Sequence, residues 1–151
     1  MLSYYSEKPQ YLDFFQALCT LEKTLPISLE LRGTDLVAYA KKLYQNAQIF
    51  TCRDVQHQIV AVAALYANDL DSRTAFLSFI AVAPAHQRQG VGKHLLTACE
   101  NFSLCSNMRQ LQLEVFSSNR KARAFYKANG YTVFRTLPDS LILAKELNDV
   151  R

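Results

Sequence analysis

The sequence is short of glycine and proline, with four of each in 151 residues. That is too few for a linker-rich or disordered chain, and no internal repeat or low-complexity run interrupts it. Its four cysteines, Cys19, Cys52, Cys99 and Cys105, form no Cys-x-x-Cys pair. His57, His86 and His94 do not stand beside them at zinc-finger spacings, so no metal site is expected. Reduced cysteines packed as small hydrophobic groups are expected instead. No stretch approaches the ~18 unbroken apolar residues of a membrane span. The opening segment, Met1 to Phe15, lacks a basic region followed by an apolar one. The expectation is a cytoplasmic protein without membrane association.

What is present suits one compact domain over residues 1–151: half the residues are hydrophobic and a fifth are charged. The formal net charge is +4, a mild excess that favours nucleic acid, an anionic membrane or a polyanionic small molecule. Nucleic-acid binders gather Lys and Arg into a stripe with interleaved aromatics. Here the densest cluster is only Arg120, Lys121, Arg123 and Lys127, which reads either as a solvated helix face or as a contact for phosphates. No nucleic-acid partner is expected.

Along the chain, Leu2 to Ser6 suits a short strand and Pro9 the first turn of a helix. Tyr11, Phe14, Phe15, Leu18, Glu22 and Leu25 follow a helical period that Pro26 ends. Thr34 is placed to cap a second helix with Leu36, Ala40, Leu43 and Ala47 on one stripe. Ile49 to Arg53 and Ile59 to Tyr66 read as a hairpin. Ala75 to Ala83 is an apolar run broken only by Ser78, which suits a central strand covered on both faces. A helix follows from Gly90. Residues 111 to 116 then alternate, with Leu111, Leu113 and Val115 facing one way and Gln112, Glu114 and Phe116 the other. Asn119 can cap the next helix and Gly130 stop it; Tyr131 to Thr136 and Leu141 to Lys145 suit a closing antiparallel pair. The order β-α-α-β-β-β-α-β-α-β-β predicts an α/β fold, with a mixed, mostly antiparallel sheet of about seven strands and helices on both faces. The unit around 75–117 should be a right-handed βαβ crossover.

Chemistry concentrates at the end of the 75–83 strand. Gln87-Arg88-Gln89-Gly90-Val91-Gly92-Lys93 is a short turn running into a helix whose first turn carries two glycines. Orphan N–H groups and the positive end of the helix dipole make such a terminus an anion site. Two better-known phosphate loops are excluded. A Walker A loop needs Gly at Gln87 and Ser or Thr at His94, and a dinucleotide fingerprint needs a third Gly at Leu95.

The remaining pattern, Gln87 to Gly92, resembles the [R/Q]-x-x-G-x-[G/A] signature of the GCN5-related N-acetyltransferases (GNAT). A second block, Leu113-Glu114-Val115 with Asn119, Ala122, Phe125-Tyr126 and Gly130-Tyr131, is similar to the family's other typical segment. The resemblance implies an enzyme that binds acetyl-coenzyme A as acyl donor. The backbone N–H groups of Gln87, Arg88, Gln89, Gly90, Val91, Gly92 and Lys93 would hold its pyrophosphate. Ile80, Ala81 and Val82 would pair with the pantetheine where the strands at 75–83 and 111–117 splay apart. Asn119 would touch the pantetheine or serve as a plain helix cap, and Arg123 or Lys127 would reach the adenosine phosphates. Gln87 and Gln89 depart from the arginine or glycine of many relatives, a loss that Arg88 can offset.

Acetyl transfer to an amine needs a polarised thioester carbonyl, a proton donor for the leaving thiolate and a base for the amine. A backbone N–H near Ile80 or Val82 would polarise the carbonyl. The resemblance points to Tyr126 as donor, against the alternative of a core aromatic. Glu114 is the candidate base, with burial expected to tune it; a structural carboxylate, with ordered water as base, is the alternative. The acceptor should lie against residues 26–34 and 136–141, which offer Glu30, Arg32, Asp35 and Asp139. A small-molecule amine is the favoured acceptor, with a protein N-terminus or lysine behind it. A homodimer is compatible with the chain. The rival class is an acyl-coenzyme A sensor or scaffold without turnover.

Overall fold

The computed structural model describes residues 1–148; positions 149–151 of the expected domain lie outside the described residues. Seven strands and four α-helices follow in the expected order: β1 (Ser3–Tyr5), α1 (Tyr11–Leu21), α2 (Leu36–Asn46), β2 (Gln48–Arg53), β3 (Ile59–Tyr66), β4 (Thr74–Val82), α3 (Val91–Cys105), β5 (Gln110–Phe116), α4 (Arg120–Ala128), β6 (Thr132–Thr136) and β7 (Ser140–Glu146). The strands form one sheet in the order β1-β2-β3-β4-β5-β7-β6. β4 and β5 run parallel, joined by α3, while β1–β2, β2–β3, β5–β7 and β6–β7 are antiparallel.

Contacts gather in two compact units, the first of 1–65 with 79–99 and the second of 66–78 with residues from 100 onward. In the first, Phe14, Leu18 and Leu21 of α1 and Ala40 and Leu43 of α2 are buried. Side chains of this size stabilise by about 1.5–3 kcal/mol each when fully buried. Tyr44 donates its hydroxyl to the Pro9 carbonyl at 2.6 Å and meets Tyr11 edge to face at 5.0 Å. Pro9 therefore lies outside α1, which is preceded by Gln10, and does not fill its first turn as expected. α1 also ends at Leu21, giving way to a 3₁₀ turn over Glu22–Thr24. Asp35, not Thr34, caps α2, its Oδ1 accepting the Ala38 N–H at 3.2 Å. The fully buried strand is β3, with Val60 to Leu65 all buried. Alanines at 61, 63 and 64 keep it thin enough to be covered on both faces. β4 instead alternates buried and half-buried residues.

In the second unit the β4–β5 ladder joins Thr74–Leu77 to Gln110–Leu113. β5 continues to Phe116, paired along its length with β7. Leu111, Leu113 and Val115 stand opposite Lys145, Leu143 and Leu141, and directly opposed residues share a face of the sheet. Except for Lys145, which is half-buried, they make an apolar stripe of buried residues. β6 ends the sheet and all five of its residues are exposed.

Candidate active site

In the first unit, β4 leaves the sheet through a 3₁₀ turn over Pro84–His86. The Ala83 N–H still donates to the Val60 carbonyl at 2.8 Å. Backbone groups alternate sides along a strand, so Ala81 points with Ala83 toward β3, whereas Ile80 and Val82 point away from it. Only alternate residues of the expected pantetheine edge can therefore offer their main chain. The Val82 carbonyl is taken by the Gln87 side chain, Nε2 to O at 2.9 Å.

Gln87 braces the turn. Besides holding Val82, it donates its own N–H to the Pro84 carbonyl at 3.3 Å. Gln89 does similar work, donating Nε2 to the Ala85 carbonyl at 3.3 Å. The expected run of free donors from Gln87 is thus shortened at its start. Arg88 and Gly90 both adopt left-handed backbone, with φ of 65° and 81°. A Cβ at Gly90 would meet nothing within 4 Å, so its dihedral, not crowding, calls for glycine there. The first bond of α3 runs from the His94 N–H to the Gly90 carbonyl at 3.0 Å. The N–H groups of Gly90, Val91, Gly92 and Lys93 consequently precede any intrahelical acceptor. They stand at the positive end of a 15-residue helix, with Arg88 exposed beside them. This terminus can hold a multiply charged anion through the main chain.

The second unit carries the titratable candidates. Tyr126 lies on α4, 7% exposed, its ring against Phe125 and Tyr131 with centroids at 5.1 and 5.6 Å. Glu114 lies on the face of β5 opposite the apolar stripe, as expected, and its Oε2 accepts the Ser140 hydroxyl at 2.5 Å. It is exposed, so the expected burial does not act on it; the strand face that carries it away from the core also carries it into the open. Asn119 caps α4, its Oδ1 accepting the Ala122 N–H at 3.1 Å, and its amide nitrogen remains a donor. Arg123 donates Nη1 to the Ser117 carbonyl at 2.8 Å. With Arg120 and Lys127 it lines a groove of about 580 Å³ floored by Tyr131, Val133, Leu141 and Leu143. Among the described residues, no acidic side chain lines this groove.

Several polar residues escaped sequence reasoning. Glu22 looked like one more position of a helical period, yet it is fully buried. Its Oε1 accepts from the Leu29 N–H at 2.6 Å and the Glu30 N–H at 3.4 Å, closing the connection between α1 and α2. Ser140 and Glu100 gave no signal either, because their partners are distant in sequence. Among the described residues, no group of three or more His, Cys, Asp or Glu is placed to hold a metal ion. No described helix is long and apolar enough to cross a membrane.

The sequence matches the model of the acetyltransferase (GNAT) family over residues 15–131. No curated protein matches it significantly. Solved structures of similar fold include the ribosomal-protein-S18-alanine N-acetyltransferase of Escherichia coli, 21% identical, with a TM-score of 0.75 over 100% of this chain and 97% of that one. A spermidine N-acetyltransferase chimera from Vibrio cholerae and hSSAT is 17% identical, with a TM-score of 0.75 over 97% and 95% of the two chains. The PaiA N-acetyltransferase of Thermoplasma acidophilum, in complex with coenzyme A, is 16% identical, with a TM-score of 0.72 over 97% and 99%. At such identities the likeness is one of fold.

Proposed function

Since the chain belongs to the GNAT acetyltransferase family, we propose that it is an acetyl-coenzyme A-dependent N-acyltransferase over residues 1–151, moving an acetyl group to a small primary amine by direct attack. The observation that carries this reading is the start of α3. There the N–H groups of Gly90, Val91, Gly92 and Lys93 precede the first intrahelical acceptor, after a left-handed turn braced by Gln87 and Gln89. A pyrophosphate suits that terminus, because charge-assisted bonds to backbone N–H groups add to the helix dipole.

Each remaining role is read from one residue within its own unit. Ile80 and Val82 turn main-chain groups away from β3, so an N–H there can pair with the pantetheine or polarise the thioester carbonyl. Asn119 can cap α4 with its oxygen while its nitrogen donates to a pantetheine carbonyl. Arg123 and Lys127 can meet the adenosine phosphates from the exposed side of α4. The amine attacks the carbonyl carbon, the carbon–sulfur bond breaks, and Tyr126 gives its proton to the departing thiolate. Glu114, exposed and held by Ser140, accepts the proton that the amine loses, directly or through water. The connection between α1 and α2, closed by Glu22, is the segment against which the acceptor would lie.

A thermal-shift titration with acetyl-coenzyme A, with ATP and NAD as controls, tests the reading. A ligand at 100 times its Kd stabilises by about 2.7 kcal/mol, which raises Tm by roughly 5–10 °C in a domain of this size. A shift specific to acetyl-coenzyme A, followed by thiol release with polyamines, amino sugars or amino acids, is the expected result. Binding without thiol release from any amine would make the protein a sensor, and faster reaction with peptide N-termini would overturn the small-molecule acceptor. No shift at millimolar cofactor would remove the acyltransferase reading altogether.

A further inference from the structure

Behind Tyr126 lies a chain of contacts within the second unit that the proposed chemistry does not use directly. The Tyr126 and Tyr131 rings meet edge to face, at 5.6 Å and 70°. The Tyr131 N–H also donates to the Tyr126 carbonyl at 3.0 Å. The Tyr131 hydroxyl donates to Glu100 Oε2 at 2.8 Å. Glu100 in turn receives the Lys145 ammonium, at 3.2 Å on Oε2 and 3.3 Å on Oε1. That ammonium stands 5.7 Å from the centre of the Tyr131 ring. Gly130 gives it passage: a Cβ there would stand 3.3 Å from Lys145 Cε.

We infer that Glu100, Tyr131 and Lys145 form a positioning network that fixes the Tyr126 ring and sets how readily its phenol yields a proton. The inference rests on the reading of Tyr126 as the proton donor. Tyr131 is 3% exposed, and its hydroxyl is held at one end of the chain while its ring meets Tyr126 at the other. Edge-to-face pairs are directional, so holding one ring restrains its neighbour. The charges matter as well. Glu100 alone would oppose formation of a phenolate at Tyr126, and Lys145 cancels it. The donor is left beside a pair of no net charge. The other charged residues and the histidine on the elements concerned are all exposed: Lys93 and His94 on α3, Arg120, Lys121, Arg123 and Lys127 on α4, Arg135 on β6, Glu146 on β7, and Glu114 on the opposite face of β5.

A network that tunes the phenol makes a prediction of sign that a merely structural one does not. Removing Lys145 leaves Glu100 uncompensated and should make Tyr126 harder to ionise; removing the charge of Glu100 should make it easier. The experiment is NMR of the full chain carrying ¹³Cζ-tyrosine, with the Tyr126 signal assigned by Tyr126→Phe and followed against pH. Lys145→Met should raise the Tyr126 midpoint and Glu100→Gln should lower it, each by roughly half a unit to one unit. Coulomb's law gives shifts of this order for a unit charge at roughly 10 Å and an effective dielectric of ~20–40. Tyr131→Phe keeps both charges and should move the Tyr126 signal at neutral pH, because the ring against Tyr126 loses its tether to Glu100. Acetyl-coenzyme A should stabilise all three variants as it does the parent.

Midpoints that move in the same direction in both charge variants, or not at all, would overturn the inference even if Tm falls. So would an unmoved Tyr126 signal in Tyr131→Phe. Should Lys145→Met fail to fold, Lys145→Gln serves in its place with the same expected sign. These readouts need no acceptor, so they fail separately from the functional reading, which fails if acetyl-coenzyme A does not bind or Tyr126→Phe keeps full turnover.

Discussion

Tyr126 and Glu114 sit twelve residues apart in the sequence but in opposite surroundings, one buried among rings and the other exposed beside Ser140. If Tyr126 is the acid, Tyr126→Phe keeps the ring and removes the hydroxyl that gives the proton. We expect kcat for thiol release to fall ~10²–10⁴-fold, with acetyl-coenzyme A stabilisation unchanged. Glu114→Gln should produce a loss of similar order if the carboxylate is the base, and near-parent turnover would leave that role to water. Glu22 makes a different prediction. Replacing it with Ala strands the Leu29 and Glu30 N–H groups it now satisfies, at a cost of about 1–3 kcal/mol. A melting temperature within 1 °C of the parent (roughly a quarter to a half of a kcal/mol) would show that the connection closes without it.

At the scale of an element, the start of α3 and the end of α4 each depend on one glycine, for different reasons. Gly90 has φ of 81° and open space around it, so Gly90→Ala strains the backbone by ~1–2 kcal/mol without a clash. The N–H groups it orients should then lose acetyl-coenzyme A affinity about tenfold or more, a loss of ~1.4 kcal/mol or above. Gly130 has φ of 95° and lies under Lys145. Gly130→Ala should lower stability while leaving cofactor affinity intact. Isothermal titration of both variants separates the two cases, and equal cofactor affinity in both would argue against a phosphate role for the turn at Gly90. Both glycines were legible in the sequence as punctuation of helices. The bracing of the turn by Gln87 and Gln89 was not, because a glutamine side chain gives no sign of which carbonyl it will reach.

At the scale of the whole molecule, four weak acids, Cys52 buried and the other three half-buried, share one direction. Burial lifts Tyr4, Cys19, Cys52 and Tyr66 above their ordinary values, with Asp54 adding to the rise at Cys52 and the Tyr4 hydroxyl opposing it. A group lifted on folding supports the native state below its unfolded value and withdraws that support as pH rises through the folded one. The unfolded values are 9.0 for the thiols and 10.0 for the phenols. Melting temperature should therefore change little between pH 7 and about 8.5 and fall by pH 10.5; a flat profile to that limit would contradict the burial of these groups. The sequence by itself determined the element order, the central strand, the glycine turn and the alternation that puts Glu114 opposite the core. Those are consequences of local periodicity, dihedral preference and helix ends, all of which act over a few residues. Only the tertiary structure decided that Glu22 is buried, that Asp35 rather than Thr34 caps α2, and that Glu114 is exposed on Ser140. It alone joined Lys145, 45 residues from Glu100, to the rings behind Tyr126. Such pairings are set by strand register and helix packing, and no window along the chain contains both partners.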